Sequence, residues 1–231
     1  MTALILALAA FVGTHFAMSH PLRAPFVARM GTSAFQLLYT AVSFATLGAA
    51  VVAFRNVAYG ELQWKVGEDL WTLSGLIMLA ASILFLGSFV RNPALPAPGA
   101  DKLAAQPARG VFAITRHPMM WSFALWALAH VLVAPRPPVM ALTAAIAILA
   151  LVGAAGQDIK KAKLMGAAWR DWSSRTSYWP FAGQFSGRIS WAAATPGMHA
   201  IVGGLVVWLL ASWAHPLAGS PVVGIWRLFQ N

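Results

Sequence analysis

The sequence contains no cysteine. That excludes disulfides, thiolate metal sites, iron–sulfur clusters and the covalent attachment of c-type haem. A transition metal would have to be held by histidine, methionine or carboxylate. Charge is scarce as well: 10% of the 231 residues are charged, and only six are Asp or Glu. A soluble domain carries about 25% charged residues, too many for this chain to wet a globular surface. Instead, 59% of the residues are hydrophobic, with 11 Trp and 13 Phe. The composition specifies an all-α, polytopic membrane bundle.

Six apolar stretches fit this reading: Thr2–Met18, Ser33–Phe54, Leu70–Val90, Met119–Ala134, Val139–Gly156 and Ile201–Ala214. Most approach the roughly 20 residues a membrane helix needs. The fourth and sixth are short, and Thr115–Pro118 and Gly197–Ala200 extend them at their first turns. The first stretch has no basic segment before it, so it reads as a span and not as a cleaved signal. The turn Ala134-Pro135-Arg136-Pro137-Pro138 joins spans four and five. The whole chain, 1–231, reads as a single membrane domain.

The net charge of +10 belongs to loops and not to a nucleic-acid surface. With the N-terminus outside, the inner loops hold 12 of the 16 Lys and Arg. This asymmetry places both termini outside the cytoplasm. One inner loop, Asn92–Gln106, is Pro/Ala-rich and reads as irregular. In the other, Lys160–Trp172 has the pattern of an amphipathic helix lying on an anionic leaflet, with Trp169, Trp172 and Leu164 opposite its charges.

No nucleophile elbow, zinc-protease, P-loop or dinucleotide motif is present. No Asp, Glu, Lys or Arg lies within the spans, which argues against a proton or ion transporter. The chemistry therefore rests on six histidines. His15 and His130 fall inside spans one and four, where an ionisable group is a functional candidate by default. Two neutral imidazoles in an apolar layer suit the axial positions of haem b, and they equally suit interhelical hydrogen bonds. Their expected heights differ by about 10 Å at the helical rise. His117, with Arg116, opens the fourth helix, where first-turn amides and cations suit a carboxylate or phosphate. That anion could be a haem propionate, a lipid head group or the carboxylate of S-adenosylmethionine. Arg109 and Arg23 are further cations on the same side. His20, His199 and His215 sit at span ends. Asp158 reads as a charge partner of Lys160, Lys161 and Arg170.

The run Arg109-Gly110-Val111-Phe112-Ala113-Ile114-Thr115-Arg116-His117-Pro118-Met119-Met120-Trp121, followed by Trp126-Ala127-Leu128-Ala129-His130, closely resembles the NnrU family. Gly13-Thr14-His15, Arg175–Phe181 and His215-Pro216 fit the same resemblance, which covers essentially the whole chain. That family is similar to a plant membrane haem b protein, the 15-cis-ζ-carotene isomerase. The resemblance implies haem b with His15 and His130 as its axial and catalytic ligands; Arg116, His117 and Arg109, read above as the donors and cations of the inner side, are the further residues expected to bind the cofactor. It implies redox-linked cis–trans isomerisation of a polyene or, from the bacterial members, nitric oxide chemistry in denitrification at the inner membrane. The thiolate that serves as an alternative ligand in the plant branch is replaced by Ala127. The Arg-His-Pro motif also resembles isoprenylcysteine and phospholipid methyltransferases, which implies a similar fold and keeps a lipid or prenyl methyltransferase open. A non-enzymatic assembly factor for a respiratory complex is the third reading.

Overall fold

The computed structural model describes residues 1–95 and 99–229. Ten α-helices follow in order: α1 (Thr2–Ser19), α2 (Arg23–Arg55), α3 (Glu68–Gly87), α4 (Ala100–Ala104), α5 (Val111–Ile114), α6 (Pro118–Val133), α7 (Pro137–Met165), α8 (Ala167–Arg175), α9 (Ala182–Phe185) and α10 (Met198–Ala214). No strand occurs among the described residues. Among the described residues five helices, α1, α2, α3, α7 and α10, are long and apolar enough to cross a membrane. The sixth expected span is α6, whose 16 residues reach about 24 Å at 1.5 Å per residue, short of a full hydrocarbon core. Pro118 and Pro137 occupy first-turn positions of α6 and α7, where an amide would lack an intrahelical partner anyway.

The principal contacts run α2–α1–α7–α6–α3–α10, so the spans form a row and not a closed ring. The row curls at both ends. Tyr39 and Leu47 of α2 line one cavity with Met120 and Phe123 of α6. At the other edge, His215, just past α10, comes within 6.3 Å of the His130 ring of α6, centroid to centroid.

Two features depart from the sequence reading. α2 begins ten residues before the expected span because Arg23–Met30 folds as a separate helical segment, bent from the rest at Gly31 (φ 79°, ψ 167°). A side chain at that φ is strained, whereas glycine tolerates it. The segment folds back, stacking Phe26 on Phe35 and placing Arg23 over the Phe35 ring. The expected interfacial helix over Lys160–Trp172 is also different. α7 continues to Met165, the chain breaks at Gly166, and α8 follows. Trp169 and Trp172 do not face lipid. They are buried among Phe112, Ile114, Ala104 and Ala200. Protein covers the two tryptophans, while Leu164, the third residue of the expected apolar face, is exposed.

The row ends in a small packed cap on the side that carries most basic residues, called here the basic end. There α4, α5, α8 and α9 close over the ends of α3, α6 and α7. The Asn92–Gln106 connection contains α4 and is pinned by Lys161, whose Nζ donates to the carbonyl of Pro93 at 3.3 Å. Its Pro96 and Pro98 lie outside the described residues.

Candidate functional site

His15 lies near the basic end of α1. Its Nδ1–H donates to the Phe11 carbonyl one turn earlier, at 2.9 Å. That bond fixes the tautomer and leaves Nε2 with a free lone pair. The ring meets Phe11 and Tyr39 edge-on, at 4.5 and 5.4 Å between centroids. It lines a cavity of about 520 Å³ between α1, α2, α6 and α7. The walls are apolar, chiefly Leu47, Met120, Phe123, Ile146 and Leu149, with His20, Gln157 and Lys160 toward the basic end. The volume falls in the usual range for small-molecule sites.

His130 repeats the local arrangement. Its Nδ1–H donates to the Trp126 carbonyl at 2.8 Å, again leaving Nε2 free. Its surroundings differ. It packs on Trp126, with ring centroids 4.0 Å apart, and faces His215, whose own Nδ1 donates to the Pro221 carbonyl.

Both histidines suit a haem iron in donor chemistry, since each imidazole has its Nδ1 held by a carbonyl behind it. Their spacing is another matter. Phe16 of α1 packs at the level of Gly153 of α7, and His117 of α6 bonds Asp158 of α7. Counting along the helices, His15 stands level with residue 152 and His130 with residue 145, an offset of about 10 Å. The offset expected from the sequence is thus kept along the helices, His130 does not line the His15 cavity, and the two rings share no contact. His15 alone combines a free imidazole nitrogen with an apolar space.

Arg116 and His117 are brought together, but around an internal anion. Arg116 Nε donates to both Asp158 oxygens at 3.0 and 2.9 Å, and His117 Nε2 donates to Oδ1 at 2.8 Å. Asp158 therefore pairs with residues 42 and 41 positions away, and not with Lys160, Lys161 or Arg170. The carboxylate expected at this helix mouth is the protein's own. His117 is only 2% exposed, and its Nδ1 is buried without a partner, as is Trp169 Nε1 nearby.

Tyr178 completes this cluster, and sequence reasoning gave it no role. Its carbonyl accepts from Thr115 Oγ1 and Trp121 Nε1, and its hydroxyl donates to the Leu151 carbonyl at 2.6 Å. Burial, helped by the Asp158 charge, raises the phenol pKa above its ordinary value. The one available signal was its place in the Arg175–Phe181 run. Arg109 is exposed at the basic end, and His199 is exposed in the first turn of α10. Neither reaches the His15 cavity.

Residues 3–222 match the family described as NnrU protein. The chloroplastic 15-cis-zeta-carotene isomerase of Arabidopsis thaliana is 31% identical over 169 residues, which cover 69% of this chain and 44% of that protein. The chain thus spans less than half the length of this curated relative. No solved structure matches, so the likeness to the methyltransferase fold rests on the Arg-His-Pro motif alone. A match over nearly the whole length, together with the motif around Arg116-His117-Pro118, means that the chain belongs to the NnrU family.

Proposed function

We propose that the chain works as one membrane domain, a haem b-dependent isomerase of an extended apolar polyene in the bacterial inner membrane, with both termini on the periplasmic side. The observation that carries this reading is the His15 cavity, an apolar space at membrane depth with one free imidazole nitrogen on its wall. The identity with a carotene isomerase supports the substrate class.

Haem b, when bound, would supply an iron that exchanges electrons and can leave one coordination position open. The chain's own part is more specific. Phe11 O holds the His15 proton on Nδ1, so Nε2 would be the atom that holds the iron. Tyr39 and Phe11 hold the ring edge-on and limit its rotation. Leu47, Met120, Phe123, Ile146 and Leu149 exclude water and give a hydrocarbon substrate an apolar wall, and burial of such surface is favourable by about 25 cal/mol per Å². His130 faces His215, outside the lining of this cavity. The methyltransferase reading loses its anion site, because Asp158 already occupies Arg116 and His117.

The test is the visible spectrum and haem content of the purified protein and of His15→Ala and His130→Ala variants. The expected result is a haem protein with one histidine ligand, high-spin when reduced, lost in His15→Ala and retained in His130→Ala. A colourless protein that takes up no added haem would remove the cofactor. A low-spin reduced spectrum that His130→Ala abolishes would restore the two-histidine pair.

A further inference from the structure

A second and larger cavity, about 720 Å³, adjoins the basic end between α1, α2 and α7. Its floor is a stripe on α7: Val152, Ala155, Gly156 and Ile159 recur at i, i+3, i+4 and i+7. The same stripe then turns basic, with Lys160 one position on and Lys163 one turn later. Arg23, the first residue of α2, faces them from the opposite wall, with Phe16, Ser19 and His20 of the α1 end between. His20 lies directly on Gly156, where an added Cβ would stand 2.5 Å from its Nε2.

Three cations therefore surround one cavity. No Asp or Glu lines it, and none of the three makes an ion pair among the described residues. Like charges so placed repel one another: the charge of Arg23 is felt at Lys160, and that of Lys160 at His20. The first-turn amides of α2 add partial positive charge at the same wall. Such an arrangement is unfavourable without a counter-anion. The apolar floor beneath it is open too, with Ile159 and Leu164 63% and 62% exposed.

We infer that this cavity binds one anionic phospholipid, its phosphate held by Arg23, Lys160 and Lys163 and its acyl chains laid along Val152, Ala155 and Ile159. One molecule with an anionic head and apolar tails answers both halves of the site. The depth fits: the cations stand at the end of the spans where head groups lie, and a polybasic cluster there attracts anionic lipid. The inference does not rest on the haem reading.

The experiment uses full-length protein in mild detergent, delipidated and then titrated with dioleoylphosphatidylglycerol or dioleoylphosphatidylcholine, with bound lipid counted by native mass spectrometry. One phosphatidylglycerol is expected to remain bound, with phosphatidylcholine at least tenfold weaker. The triple variant Arg23→Gln/Lys160→Gln/Lys163→Gln should lose that adduct by at least tenfold. A control of equal charge loss, Arg29→Gln/Lys102→Gln/Arg170→Gln, should keep it. Ile159→Trp, which fills the floor and leaves the charges, should weaken it too and guards against a triple variant that fails to fold. Equal loss in the control, equal binding of the two lipids, or displacement by millimolar inorganic phosphate would overturn the proposal. Arg23→Gln/Lys163→Gln spares Lys160, which also lines the His15 cavity, and should weaken the adduct while keeping haem; loss of haem from that double variant would assign the cations to propionates and overturn the proposal.

Discussion

At the scale of single residues, Asp158 is the most constrained acid in the chain. It accepts from Arg116 and from the buried His117, and it joins the mouth of α6 to α7. Asp158→Asn leaves a guanidinium and a buried imidazole without their anion. Breaking such a pair is strongly destabilising, and a loss of about 3 kcal/mol is expected, read as a lowered unfolding midpoint in detergent. Sequence order pointed elsewhere, to Lys160, Lys161 and Arg170, because it shows neighbours along one helix and not across a helical hairpin. His20 offers a pH prediction. Burial, and then the charge of Lys160, hold its imidazole pKa below the ordinary value. Below the ordinary pKa the unfolded chain takes a proton that the folded chain resists, so folding stability must fall on acidification through about pH 6.5. The unfolding midpoint should drop from neutral to mildly acidic pH, and His20→Gln should reduce the drop. An unchanged pH dependence in that variant would remove His20 as its source. The depth of His15 and His130 was readable from residue counting. What each ring faces was not, because it depends on which helices are neighbours.

Among the elements, the helices themselves were legible, since long apolar runs between Pro, Gly and basic residues leave little choice. The coverings were not. The Trp169 and Trp172 pattern shows that one face of α8 is apolar, but lipid and protein ask for the same residues there. Only the cap built by α4 and α5 decides between them. The bend at Gly31 was hidden for a related reason, since glycine is common in membrane helices without breaking them. α10 packs closely on α3 at Gly204, where an added Cβ would lie 2.7 Å from the Ile83 backbone. A methyl there must push α10 from α3, because backbone cannot rotate aside. Gly204→Ala should cost about 1–3 kcal/mol, as overpacking does, and Gly203→Ala, which meets only the Leu86 side chain at 3.4 Å, should cost less. Equal unfolding midpoints for the two variants would contradict this picture.

For the whole molecule, the segregation of 12 basic residues to one end predicts a defined orientation. The absence of cysteine makes that directly measurable, because any introduced thiol is unique. In intact cells, Leu62→Cys, between α2 and α3, should react with an impermeant maleimide. Asp101→Cys, in α4 at the basic end, should react only after permeabilisation. The reverse pattern would invert the topology and move the proposed lipid site to the other leaflet. The helices also stand in a row, each touching chiefly the one before and the one after. A row has the mechanics of a chain of links, not of a bundle: strength is set by the weakest seam, and coupling dies away with each link crossed. The sparsest seam joins α1 to α7, and it runs between two walls of the His15 cavity. The α1–α2 pair is the part that can swing away at the least cost, which would open the cavity sideways into the bilayer, the direction from which a molecule insoluble in water would have to arrive.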